Sequence, residues 1–174
     1  MAEFENCIGE TDEWYTPPEL LEAIGCSYDL DPCSPGKGHW VPARSVYTKA
    51  DNGLLQNWHG FVFMNPPFGG RNGHVPWLLK FLSHGNGIAI VRSYTSSEWF
   101  QKYAVLADAM LFPRGKTKFI RSDGTIGKAP GHGVVLLAMG VKAVNYLRAS
   151  NIGFFVEKPY NTALNSDAQT PGAR

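Results

Sequence analysis

Phe61-Val62-Phe63-Met64 is a short unbroken apolar run that stops at once in Asn65-Pro66-Pro67-Phe68. Strands buried on both faces read as continuous hydrophobic runs, which predicts an interior strand of a parallel sheet. Two successive prolines have no N–H to give to a ladder, so the chain must leave the sheet at Asn65. Open α/β sheets bind ligands just beyond the carboxyl ends of such strands. Asn65, Pro66, Pro67 and Phe68 are therefore expected at a site.

The flanking sequence extends this to an α/β fold with a mostly parallel central sheet. Gly69-Gly70-Arg71-Asn72-Gly73 is too glycine-rich for regular structure and predicts a mobile loop. Val75, Leu78, Leu79 and Leu82 have the spacing of an amphipathic helix, and residues 87–91 read as a second buried strand. Strand, helix and strand in that order form a βαβ unit. Ser96 or Ser97 is expected to cap a further helix through Glu98, Trp99, Phe100 and Tyr103. Residues 109–113 and 132–139 read as two more strands. With 174 residues the chain is most simply one domain, expected over 13–160, between a loose 1–12 and a polar, disordered tail over 161–174.

Before the opening run, Thr16-Pro17 with Glu19 reads as a capping box with proline at the first helical position, and Gly25 as the stop. That helix is either simply well capped or holds a carboxylate or phosphate at its N-terminus. Residues 26–31 predict a short strand ending in Asp31-Pro32. Asp31 is then a turn residue, or an acceptor for a ribose hydroxyl or an ammonium group. Residues 36–60 are loop-rich, with a strand expected over 44–48. Asp51-Asn52-Gly53 is a turn signal, Trp58 a core anchor, and Asp51 a second acid that could project into the site.

Several function classes are excluded or weakened. A formal charge of +1 gives no global nucleic-acid signature, so such a surface must be local. The clearest candidate is 114–128, where five basic residues, among them Arg114, Lys116 and Lys118, face one acidic residue. That segment is either a solvated hairpin turning at Ser122-Asp123-Gly124-Thr125 or a basic ribbon for phosphates. The G-x-G-x-x-G fingerprint is absent, and Met110 stands where a P-loop ending in Gly115-Lys116-Thr117 needs glycine. Neither the five histidines nor the three cysteines show ligand spacing, so no metal is expected. No apolar run reaches transmembrane length, and the odd, small cysteine count suits a reducing cytoplasm.

The Asn-Pro-Pro-aromatic turn is either a plain strand ending or a device for chemistry at a planar amino nitrogen. Such a nitrogen, as in adenine, is a poor nucleophile because its lone pair is delocalised into the ring. An enzyme that alkylates it must accept hydrogen bonds from both N–H groups, so that the lone pair localises toward the donor. The Asn65 side chain and the Pro66 carbonyl supply two such acceptors, and proline adds no competing donor. Phe68 offers a face on which a base swung out of a helix can stack, worth about 1–3 kcal/mol.

At these residues the chain resembles amino-methyltransferases, and more narrowly the small phage-encoded DNA N-6-adenine methyltransferases. The likeness runs in order through Trp14-Tyr15-Thr16-Pro17, Asp29-Leu30-Asp31-Pro32, Asp51-x-Gly53-Leu54 with Trp58, and Asn65-Pro66-Pro67-Phe68, covering about 13–140. The resemblance implies a Rossmann-like class I methyltransferase fold with an antiparallel strand pair near the C-terminal edge. It implies S-adenosylmethionine as cofactor and DNA as partner, in the cytoplasm of a bacterial host. Tyr15, Thr16 and Pro17 would line the methionine end of the cofactor. Asp31 and Pro32 would lie beneath it, and Asp51 would approach its adenine amino group. Asn65, Pro66 and Phe68 would hold the target base. Two features depart from the family: the glycine cluster usual beside Asp31 is missing, and no separate recognition domain fits. Arg71, Arg114, Lys116 and Lys118 are left as the substrate contacts. Related turns serve methyltransferases of RNA bases and glutamine amides, and a non-catalytic nucleic-acid-binding module on the same fold is a third alternative.

Overall fold

The computed structural model of the protein describes residues 14–36, 39–67, 73–127 and 132–158. The expectations for 1–12, for 161–174, for most of the glycine loop, and for Phe68 and Arg71 lie outside these residues.

A seven-stranded sheet runs in the order β3-β2-β4-β5-β8-β6-β9. Its members are β2 (Tyr28–Asp31), β3 (Ala43–Val46), β4 (Val62–Met64), β5 (Gly87–Arg92), β6 (Ala109–Pro113), β8 (Val134–Met139) and β9 (Gly153–Glu157). A separate two-stranded sheet pairs β1 (Trp14–Tyr15) with β7 (Ile120–Arg121). The helices are α1 (Pro18–Ile24), α2 (Val75–His84), α3 (Glu98–Lys102) and α4 (Val141–Ser150). No described helix is long and apolar enough to cross a membrane.

The apolar run that opened the sequence is β4, buried throughout. Successive side chains point to opposite faces of a strand, so an unbroken apolar run needs cover on both. Val62 and Met64 pack with Leu78 and Phe81 of α2 and with Trp99 and Phe100 of α3. Phe63 packs on the other face with Leu21 and Ile24 of α1 and with Ala143, Val144 and Leu147 of α4. In β5, Ala89 and Val91 divide from Ile88 and Ile90 in the same way. The result is a three-layer α/β/α sandwich. Truncating Phe63 to alanine at its centre would cost about 3–5 kcal/mol.

The β4-α2-β5 unit forms as expected, with β4 and β5 parallel. The antiparallel part of the sheet is larger than the expected pair: β8 runs antiparallel to both β5 and β6, and β9 antiparallel to β6. The passage from β5 through α3 leaves a gap one strand wide before β6. The chain then fills that gap with β8, which returns without a helical crossover and so enters in the opposite sense.

Two caps differ from the sequence reading. Thr16 is not the N-cap of α1. Pro17 holds that position, extended at φ −65° and ψ 140°, with no side-chain cap. Proline disfavours α geometry in the residue before it, and Pro18 follows Pro17, so the helix starts one residue later than the box requires. Pro17 and Pro18 also lack N–H groups, which leaves this helix end poor in donors for an anion. Gly25 does end α1, left-handed at φ 71° with its N–H on the Leu21 carbonyl. Ser97 precedes α3, but its hydroxyl donates to the Tyr94 carbonyl rather than capping the helix.

Candidate functional site

From β2 the chain goes to β3 on one side and then crosses back over β2 to β4 on the other. This reversal opens a crevice beyond the carboxyl ends of β2 and β4, where doubly wound sheets bind ligands. A cavity of about 920 Å³ lies there. Asp31 and Pro32 line it from the end of β2, and Asn65, Pro66 and Pro67 from the end of β4. Trp14 and Tyr15 of β1, and Thr16 just after it, line it as well.

Asn65 is held by a contact made across the fold. Its Nδ2 donates to the Trp14 carbonyl at 2.7 Å. A carbonyl can only accept, so this partner settles which end of the amide faces it. The bond uses one of the two Nδ2 N–H groups and turns that end of the amide to Trp14, which leaves Oδ1 as an acceptor on a residue that lines the cavity. Pro66 beside it is buried and Pro67 exposed.

Thr16 is 3% exposed, and its Oγ1 has no hydrogen-bond partner. The Thr16 carbonyl accepts the Trp40 indole N–H at 2.6 Å, which brings Trp40 and its neighbour His39 onto the same wall. His39 Nδ1 is likewise buried without a partner. Buried polar groups are nearly always bonded, so two orphans on one cavity wall match a ligand that supplies the missing partners.

Asp31 is 3% exposed and accepts the Cys33 amide at 3.0 Å. Burial pushes its carboxyl up to about 7, against a smaller opposing pull from that bond. Asp51 is not itself among the residues that line the cavity, although its chain neighbours are. It is exposed beside the rim, and its carboxylate accepts both the amide and the hydroxyl of Thr48, at 2.8 and 2.7 Å. Those two bonds hold it below the usual carboxylate range. The wall at this point is formed instead by its neighbours Ala50, Asn52 and Gly53. A Cβ on Gly53 would collide with the Pro32 carbonyl and touch Trp77 Cη2 at 3.3 Å, so only glycine lets this turn close against the strand end. Pro17, the N-cap of α1, follows Thr16 in the chain and is not among the residues that line the cavity.

One cation stands at the end of β5, the strand beside β8. The Arg92 guanidinium, at the end of β5, lies 5.8 Å from the Tyr94 ring centre. Burial, reinforced by the Arg92 charge, lowers His74 to about 4 and also lowers His132. Arg114, Lys116 and Lys118 are exposed on the chain between β6 and β7, away from the cavity wall. The hairpin after them forms: the Gly124 amide donates to the Arg121 carbonyl, and Ile120 bridges Ile126.

The sequence reading missed His39, Trp40, Thr48, Lys49 and Trp77 on the cavity wall. Four of them sit in loops without periodicity. Trp77 lies off the apolar stripe of α2, and a large aromatic at such a position was the one available signal.

A sequence model of the DNA N-6-adenine-methyltransferase (Dam) family matches residues 6–156. No curated protein and no solved structure matches the chain.

Proposed function

The chain belongs to the DNA N-6-adenine-methyltransferase (Dam) family, and on that premise we propose that it methylates the exocyclic N6 of adenine in DNA from S-adenosylmethionine, on a Rossmann-like class I methyltransferase sheet. The observation that carries this reading is Asn65, whose amide nitrogen is committed to the Trp14 carbonyl while its oxygen remains for the cavity it lines.

The target base is swung out of the helix and stacks on Phe68. Asn65 Oδ1 and the Pro66 carbonyl accept the two N–H bonds of its amino group. Each draws the nitrogen lone pair out of the ring, and each sits where positive charge develops on nitrogen, so both stabilise the transition state more than the ground state. The amino group is too weakly basic to need prior deprotonation, so no general base is required. Proline fixes φ and removes a donor, which keeps the pair of acceptors rigid.

Four of the proposed cofactor contacts, Tyr15, Thr16, Asp31 and Pro32, line the cavity, and Pro17 and Asp51 adjoin lining residues in the chain. Thr16 Oγ1 and Tyr15 meet the methionine end, with Pro17 next in the chain. Asp31 and Pro32 lie beneath the ribose and sulfonium region. Asp51 meets the adenine amino group, for which its carboxylate gives up one of its Thr48 bonds. The residues fit such a group: an unmet buried hydroxyl, a buried carboxyl and the aromatic faces of Trp40 and Trp77 surround one cavity. Bound S-adenosylmethionine supplies an electrophilic methyl on a sulfonium. Arg71, Arg114, Lys116 and Lys118 contact DNA phosphates.

The test is transfer of labelled methyl to a defined unmethylated DNA, with RNA and protein substrates in parallel, followed by base-resolved mapping. Label on adenine N6 in DNA is expected. Label on RNA or a glutamine amide would move the substrate class. Cofactor binding without transfer to any substrate would leave a binding module and end the enzyme reading.

A further inference from the structure

We propose that Trp14 is a positioning residue for Asn65, held in place by a clamp that Gly127 and Arg121 form on its indole ring. The inference rests on the reading of Asn65 as an acceptor, and it assigns the residues that keep that acceptor oriented.

The terminal torsion of an asparagine side chain is broad and roughly two-fold, so packing alone does not choose which end of the amide faces the cavity. The Trp14 carbonyl chooses it, through the bond to Nδ2 from 51 residues away. A flipped amide would set two carbonyl oxygens against each other. The orientation of Asn65 is therefore only as secure as the backbone of Trp14.

That backbone is not part of the main sheet. Strand β1 has two residues, and its ladder partner is β7, with Trp14 opposite Arg121 and Tyr15 opposite Ile120. A two-stranded ribbon is marginal without packing. Packing comes through the Trp14 ring. A Cβ at Gly127 would stand 2.5 Å from Trp14 Cζ3 and 3.3 Å from Cη2, so the indole lies directly on a bare glycine backbone. The Arg121 guanidinium covers the ring at 5.9 Å from its centre. The Gly127 amide donates to the Phe119 carbonyl at 2.8 Å, and Phe119 is buried in the core, which ties the clamp to the body of the fold. The hairpin thus acts on Asn65 without touching it. It also continues directly from the segment carrying Lys116 and Lys118, so the proposed phosphate contacts and the acceptor orientation share one mechanical element.

A double-mutant cycle tests this. A Cβ at position 127 would meet the Phe119 carbonyl oxygen at 3.0 Å besides the two indole atoms. The phenyl ring of Trp14→Phe lacks those two atoms, so Trp14→Phe should relieve the part of Gly127→Ala that acts through the ring and leave the part that acts on the Phe119 carbonyl. The first readout needs no ligand: hydrogen exchange of the Asn65 side-chain amide in asparagine-labelled protein, with melting measured alongside. Gly127→Ala should speed that exchange at least tenfold. It should lower kcat for DNA methylation tenfold or more, with the KM for S-adenosylmethionine within threefold. On both measures Gly127→Ala should cost at least threefold less in the Trp14→Phe background than in the wild type. Arg121→Ala, which removes only an exposed group and does not threaten the fold, should raise Asn65 exchange at least threefold. Unchanged Asn65 exchange in Gly127→Ala or in Arg121→Ala, or strictly additive effects in the cycle, overturns the proposal. If the wild-type protein methylates no DNA while the exchange pattern holds, the functional reading fails and the clamp stands.

Discussion

The Asp31 carboxylate accepts the Cys33 amide at 3.0 Å and lies under the cavity with little water around it. Burial raises its pKa from 3.8 to about 7. Burial and the nearby Asp31 charge in turn keep the Cys33 thiol protonated. The folded pKa lies above the unfolded one, so between them the folded state holds the extra proton. The associated stability is complete below about pH 4 and is lost as pH rises through 7. Over that window the ligand-free protein should lose up to ~4 kcal/mol, and Asp31→Asn should flatten the dependence. A cationic sulfonium above Asp31 favours the ionised form. Cofactor binding should then release a proton and tighten by up to tenfold per pH unit below 7, levelling off above it. Titration calorimetry in buffers of differing ionisation enthalpy measures the proton. Uptake, or an affinity flat across pH 5–8, would remove Asp31 from the sulfonium's neighbourhood.

Thr16 gives a prediction in which stability and binding move in opposite directions. Its hydroxyl is buried without a partner, and a buried unsatisfied polar group costs about 1–3 kcal/mol. Thr16→Val keeps the shape and removes that cost, so the ligand-free protein should melt at the same temperature or higher. If the hydroxyl meets the methionine end of the cofactor, the dissociation constant should rise roughly 5- to 30-fold, about 1–2 kcal/mol. Melting curves with and without S-adenosylmethionine read both effects in one experiment. An unchanged ligand-induced shift would mean that the hydroxyl serves no ligand.

Asn65→Ala removes the acceptor and leaves the rest of the cavity wall. Losing one preorganised hydrogen-bond group of this kind typically costs 10²–10³ in kcat. A loss of that order is expected, with cofactor affinity within about threefold. Asn65→Asp is the sharper variant, because it keeps an acceptor but loses the donor to the Trp14 carbonyl. It should also fall well below wild type. Single-turnover rates and equilibrium cofactor binding separate the two effects, and a large loss of cofactor binding in Asn65→Ala would show that the residue serves the cofactor rather than the base.

Legibility in the sequence followed local pattern. β4, α2 and β5 were readable because an apolar run buried on both faces, and a helix with one apolar stripe, leave distinct periods. The turn at Asn65 was readable because prolines punctuate a strand without ambiguity. The β1–β7 pairing was not, since strands of two residues have no period and their partners lie far apart in the chain. The place of β8 between β5 and β6 was equally hidden, because hydrophobic pattern specifies that a strand is buried but not which neighbours bury it. Resemblance places Thr16 at the site, and local pattern makes it a helix cap. The cap failed because two prolines shift the start of α1, and that shift leaves the Thr16 hydroxyl unmatched on the cavity wall. Most of the cavity's far wall comes from loops, where only contact between distant segments makes a site.

The basic segment before β7 can be weighed by salt. Arg114, Lys116 and Lys118 are exposed, away from the cavity, and none forms an ion pair with a described residue. Cations that neutralise phosphates release condensed counterions, so each contact adds about 0.9 to the slope of log K against log salt on duplex DNA. Replacing all three by alanine should lower that slope by roughly 2–3 and weaken binding at low salt. Cofactor affinity and the methyl-transfer rate at saturating DNA should remain near wild type, because the lost contacts position the duplex rather than the reacting atoms. Fluorescence anisotropy on a labelled duplex across salt concentrations measures the slope. A slope unchanged by the triple substitution would make the segment a solvated hairpin and move the DNA-binding face toward Arg92 at the end of β5.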